Sequence, residues 1–218
     1  MGSAIYSSAI DRDATGRASR PSHAVVDRTV TDEAESYNSS VAGISIEAVR
    51  GGRGVGPTQV LTATGERFVF TQSKIGFPML SRATIPDDTV VVAYVRSAPP
   101  GSRWCQIDLE PGAVIAWSPA AAHTATNLPG LQFAFAAVNL RQVDEHANQL
   151  GIRIDPPSHG QVHQLPLTAN TSLVGPAFSR FADIAATGAC PSTASGDDVL
   201  SAVTRALRGR PRPTGRPA

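Results

Sequence analysis

Few side chains in this sequence have chemistry to offer, and they are scattered. His123 ends the corner SPAAAH, Ser118–His123. Its imidazole could orient a small molecule through a ring nitrogen, hold the corner by bonding a backbone carbonyl, or face water. His159 and His163 stand four apart, which on a helix would place both on one face. Pro156, Pro157 and Gly160 argue against a helix there, so no metal-binding pair is assigned. The run GGRGVG, Gly51–Gly56, lacks the Lys-Ser/Thr of a phosphate-binding loop and leads through Pro57 into a β-segment. It is expected to be a hairpin connection. Gly-x-Ser-x-Gly is absent, so serine hydrolase chemistry has no support. What remains are rings: Trp104, Trp117, Phe133 and Phe135 lie on segments that could line a cavity. Phe133 and Phe135 share a face by two-residue alternation, and such a pair also serves as core filling. No catalytic residue, metal ligand or cofactor is expected.

The chain has 218 residues, 41% apolar and 17% charged, with a net charge of +1. That describes a folded domain with a core, without overall charge to steer it to nucleic acid, membrane or anions. Two cysteines are too few for a disulfide scaffold. Cys105 falls in an expected strand and Cys190 in a loop, and both are read as reduced thiols of a cytoplasmic protein. The N-terminus has no uninterrupted apolar stretch of signal-peptide type, and no segment approaches the roughly 20 apolar residues of a membrane span.

The elements that must position these residues are mostly strands. Residues 1–30 read as a flexible arm, and Thr31–Tyr37 as a short capped helix. Gly43–Val49, Thr58–Thr64, Arg67–Thr71, Ile75–Ser81 and Thr89–Arg96 follow as strands; the last (TVVVAYVR) is nearly all apolar and β-branched, hence buried on both faces. Three more, Trp104–Leu109, Ala113–Trp117 and Leu131–Val138, are divided by Glu110-Pro111-Gly112 and Leu128-Pro129-Gly130, two Pro-Gly turns. About eight strands predict an antiparallel barrel or double sheet. Helical spacing then takes over at Asn139–Leu150 and Thr171–Thr187, and at Ser195–Leu207 with its apolar stripe of Val199, Leu200, Val203, Ala206 and Leu207. The stripe is wide enough to pack on its own domain, on a twin helix, or on both. From Arg205 to Ala218 come five arginines, three prolines and no acid, which reads as a linker or tail (209–218).

The segment around Gly112, Pro119, His123 and Asn127 is similar to the second half-motif of the cupin barrel, with Pro119 late by one and Ala120 where the family has glycine. The family's first half-motif, which carries two His and a Glu, would fall around Val95–Asp108, and that segment has no histidine. The resemblance therefore implies the barrel without its metal. An arm, a degenerate cupin-like barrel (31–138), a helical region (139–208) and a basic Pro-rich linker together resemble the N-terminal part of AraC-type transcription regulators. That resemblance implies an α+β fold and a small-molecule effector bound in the barrel. Trp104, Trp117, His123, Phe133 and Phe135 are the candidate lining residues. It further implies a homodimer formed through the stripe of the last helix, and DNA contact only through a C-terminal domain absent from this chain. The alternatives are a cupin-type metal-dependent enzyme, an isomerase or dioxygenase, and a non-regulatory small-molecule-binding β-domain.

Overall fold

The computed structural model describes residues 24–156, 158–189 and 191–208. The glycine- and arginine-bearing ends read above as arm (to residue 23) and linker (209–218), together with Cys190, lie outside those residues. Among the described residues are twelve strands: β1 (Val25–Thr31), β2 (Ser45–Arg50), β3 (Thr58–Thr64), β4 (Phe68–Lys74), β5 (Met79–Thr84), β6 (Thr89–Ser97), β7 (Arg103–Trp104), β8 (Ile107–Asp108), β9 (Val114–Trp117), β10 (Ala122–Asn127), β11 (Gln132–Asn139) and β12 (Val162–Leu165). Helices α1 (Ala34–Ser40), α2 (Leu140–Leu150), α3 (Val174–Ala186) and α4 (Thr193–Ala206) complete an α+β architecture. None of these helices is long and apolar enough to cross a membrane.

The strands form two antiparallel sheets rather than one closed barrel. Seven run in the order β1-β3-β4-β11-β6-β9-β12, and five in the order β2-β5-β10-β7-β8. The larger sheet is covered on both faces, and the alternation of its side chains divides the core in two. Phe68, Phe70, Val90, Val92 and Val138 pack toward the helices, against Phe178, Phe181, Val199 and Val203. Val91, Ala93, Val95, Phe133, Phe135 and Trp117 point into the space between the sheets, where Tyr37, Phe77 and Trp104 meet them. This is why β6 reads as unbroken apolar sequence: it lies between β11 and β9 with a layer on each side. Edge-to-face contacts of Phe68 with Phe181 (5.5 Å) and Phe70 with Phe178 (5.4 Å) fasten α3 to the sheet.

Both Pro-Gly turns form, with Gly112 at φ +88° and Gly130 at φ +94°, and with Ala113 and Leu131 N–H donating to the Glu110 and Leu128 carbonyls. Helix α2 is capped by the Asn139 side chain and closed by Gly151 in the left-handed conformation. The part of the arm that is described is not loose: β1 pairs with β3 along its whole length. The Gly51–Gly56 run is not a hairpin, because it carries the chain from β2 in one sheet to β3 in the other. Trp104–Leu109 is not a continuous strand; it folds back as the two-residue strands β7 and β8 around Cys105, whose φ is +52°. Strands β10 and β12 were not anticipated. Helix α4 begins earlier than expected, capped by Ser192, whose hydroxyl accepts from the Ser195 N–H.

Candidate functional site

All five lining residues proposed from sequence come together in one cavity between the sheets. Trp104 (β7) and His123 (β10) arrive from the five-stranded sheet, and Trp117 (β9), Phe133 and Phe135 (β11) from the seven-stranded one. The Trp104 ring meets Phe133 edge-on at 5.0 Å and Trp117 at 5.1 Å, and Trp117 lies 5.1 Å from the His123 imidazole at a 35° tilt. Further walls come from Tyr37, Ile46, Ser81 and Asn127. The cavity is a small slot, partly open to solvent, in which about 30 Å³ can hold the centre of a water molecule, room for about two ordered waters.

The polar atoms in the slot are unevenly satisfied. Trp104 Nε1 donates to Asn127 Oδ1 at 3.0 Å, and Asn127 Nδ2 donates to Ser81 Oγ at 3.4 Å. Asn127 is thereby committed at both ends. Two other atoms, Trp117 Nε1 and His123 Nδ1, are buried without a hydrogen-bond partner among the described residues. Native proteins rarely leave such groups unpaired, because burial without a partner forfeits hydration and recovers nothing. Burial lowers the His123 pKa to about 4, so the ring is neutral near pH 7. Burial pushes the Tyr37 phenol up to about 12, with the Ser73 hydroxyl pulling the other way.

Tyr37, Ser81 and Asn127 were not singled out from the sequence. The signal for Asn127 was present: in AHTATN, His123, Ala125 and Asn127 alternate onto one face once the segment is recognised as a strand. Ala120, standing where the cupin half-motif has glycine, adopts φ +56°, so the corner keeps the conformation that favours glycine. Among the described residues no three His, Cys, Asp or Glu side chains group as metal ligands. His163 lies on β12, exposed, with its Nε2 2.8 Å from Gln161 Oε1; His159 is exposed in the preceding loop. The stripe assigned to dimerisation is elsewhere again. Val199, Leu200, Val203, Ala206 and Leu207 are all buried within the chain's own helix-and-sheet core.

No protein-family description matches this sequence, and no curated protein matches it. The fold does have a solved counterpart. It is similar to the crystal structure of the AraC-like transcriptional activator CuxR, with a TM-score of 0.54 over 87% of this chain and 73% of that one, at 10% identity. The likeness is one of fold. A looser similarity, to the ribosomal oxygenase YcfD of Escherichia coli, has a TM-score of 0.23 at 13% identity, covering 71% of this chain and 57% of that one.

Proposed function

We propose that this chain is the ligand-sensing and dimerisation part of an AraC-type transcription regulator, taking a small effector between its two sheets. The observation that carries the reading is the slot itself. Five aromatic or imidazole rings from both sheets line it, and two of them, Trp117 and His123, carry buried nitrogens with no partner among the described residues, in a fold similar to an AraC-like activator. A molecule held there contacts both sheets at once. Its binding energy can therefore bias how they sit against each other, by no more than its difference in affinity for the two arrangements. In this reading the protein acts in the cytoplasm as a homodimer, and reaches DNA only through a separate C-terminal domain. Pairing draws on surface other than the α4 stripe, which the chain's own core already occupies.

A cupin-type isomerase or dioxygenase would need a metal-ligand set, and His123 is the one imidazole lining the slot. The test of the sensing reading is a thermal-unfolding screen of the whole chain against diverse small molecules, followed by sedimentation with any that stabilise it. A stabilising compound that shifts the monomer–dimer balance is expected. A broad screen in which no compound alters stability or assembly would sink it.

A further inference from the structure

We propose that the molecule this slot takes is uncharged and mostly apolar, and that it presents hydrogen-bond acceptors such as carbonyl or ether oxygens. The inference rests on the sensing function above and narrows its ligand class. Among the described residues no Asp, Glu, Lys or Arg lines the slot. A carboxylate or ammonium placed there would lose its hydration without meeting a counter-charge, a cost that selects neutral molecules. Sugars and other polyols fare little better. Each hydroxyl asks for its own partners, while Asn127, the most versatile polar side chain in the wall, is already bonded to Trp104 and Ser81.

What the slot still offers is a donor of fixed role and an imidazole nitrogen whose role follows its tautomer. An indole Nε1 can only donate, so the unpartnered Trp117 Nε1 requires an acceptor from whatever lies against it. Trp117 is 97% buried, being 3% exposed, so bulk water does not fill that role freely. The unpartnered Nδ1 of His123 belongs to the ring tilted 35° to Trp117 at 5.1 Å, so the two unpaired atoms belong to neighbouring groups. About 30 Å³ of the slot admits the centre of a water molecule, and its walls are ring faces and aliphatic chains, so an organic ligand must spread the two sheets as it enters.

Three probes separate the classes by calorimetry and thermal unfolding of the full chain: coumarin, a flat uncharged lactone; ortho-coumarate, its ring-opened carboxylate; and arabinose, a polyol. Coumarin is expected to bind, ortho-coumarate at least about tenfold more weakly, and arabinose not at all. Loss of one hydrogen bond in Trp117→Phe should weaken coumarin by about tenfold, with His123→Phe as a second variant should the first fail to fold. Ortho-coumarate or arabinose binding as tightly as coumarin would overturn the ligand class while leaving a small-molecule sensor. Coumarin held equally by the wild type and both variants, or no binding of any probe, would also overturn it; the sensing reading is judged separately by the wider screen.

Discussion

The indole rings of Trp104 and Trp117 lie 5.1 Å apart at 49° to one another, yet they belong to different sheets. The pair spans the gap between the sheets, and the slot opens beside it. Trp104 is also anchored by its Nε1 bond to Asn127 Oδ1. Trp104→Ala should therefore destabilise the fold by about 3–5 kcal/mol, the range for truncating a buried large aromatic. Trp104→Phe keeps most of the ring but leaves the buried Asn127 oxygen without its donor, which costs about 1–3 kcal/mol. Urea unfolding followed by far-UV circular dichroism measures both, and a Phe variant as stable as wild type would contradict this account.

His123 makes stability depend on pH in a defined direction. Burial holds its folded pKa near 4, below its ordinary 6.5. Between those values the unfolded chain takes up a proton that the folded chain refuses. Stability is therefore full above about pH 6.5 and falls as pH drops toward 4, by at most about 3 kcal/mol from this group. His146 contributes in the same direction: burial first and then Arg67 lower its pKa, with Asp197 and Gln149 opposing. Unfolding midpoints of the wild type, His123→Phe and His146→Phe from pH 7.5 to 4.5 separate the two. The His123 variant should show the flatter profile.

Gly76 occupies a place where two backbones touch. A Cβ there would sit 2.2 Å from the Gly56 carbonyl oxygen and 2.3 Å from that of Pro57, while one on Gly54 would sit 2.4 Å from the Gly76 oxygen. Both contacts are with backbone, which cannot swing aside. Gly76→Ala should lower stability by at least about 2 kcal/mol through the forced backbone shift. Gly56 faces open space, and Gly56→Ala should change it by no more than about 0.5 kcal/mol. Thermal melts of the two variants side by side make the comparison; equal melting temperatures would refute the close-approach explanation.

Ala120 pays for a backbone conformation that L-residues avoid, at φ +56°. Ala120→Gly should raise stability by about 0.5–1 kcal/mol, the strain relieved exceeding the extra freedom gained by the unfolded chain. Chemical denaturation reads this directly, and a less stable variant would show that the Ala120 methyl packs more favourably than the strain costs.

How far the sequence could be read followed from the range of the forces involved. Turns, helical spacing and strand alternation are local, so Pro111-Gly112, the helix over Asn139–Leu150 and the buried run of β6 were all legible. The rings Trp104, Trp117, Phe133 and Phe135 were legible as a group because each sits in an apolar strand segment. Their convergence with His123 was implied by the resemblance and not by spacing. Illegible were contacts made only by tertiary pairing. β10 (AHTATN) has too little apolar content to announce a strand, and it is held by β5 along its length. β12 emerges from a proline-rich passage because β9 needs an edge partner. Gly51–Gly56 looked like a hairpin because glycine signals only permissive backbone; its use, close passage between sheets, depends on Gly76 and Pro78 far along the chain.

The stripe on α4 gives the last prediction, since its residues could have served either one chain or two. Leu200 is 1% exposed and Val203 0%, in a cluster with Phe68, Phe70, Phe178 and Phe181 from the same chain. A side chain already enclosed by its own domain has no apolar surface left to offer a partner. Leu200→Ala should therefore cost about 2–5 kcal/mol by the cavity it leaves, and that loss should be the same at micromolar and at hundred-micromolar protein. Were the stripe a dimer seam, mass action would make the loss depend on concentration, and the variant would sediment as a monomer. Denaturation at two protein concentrations, with sedimentation of wild type and variant, decides between them. An identical loss with unchanged assembly is the expected result, because the helix packs on β11 and α3 before any second chain arrives.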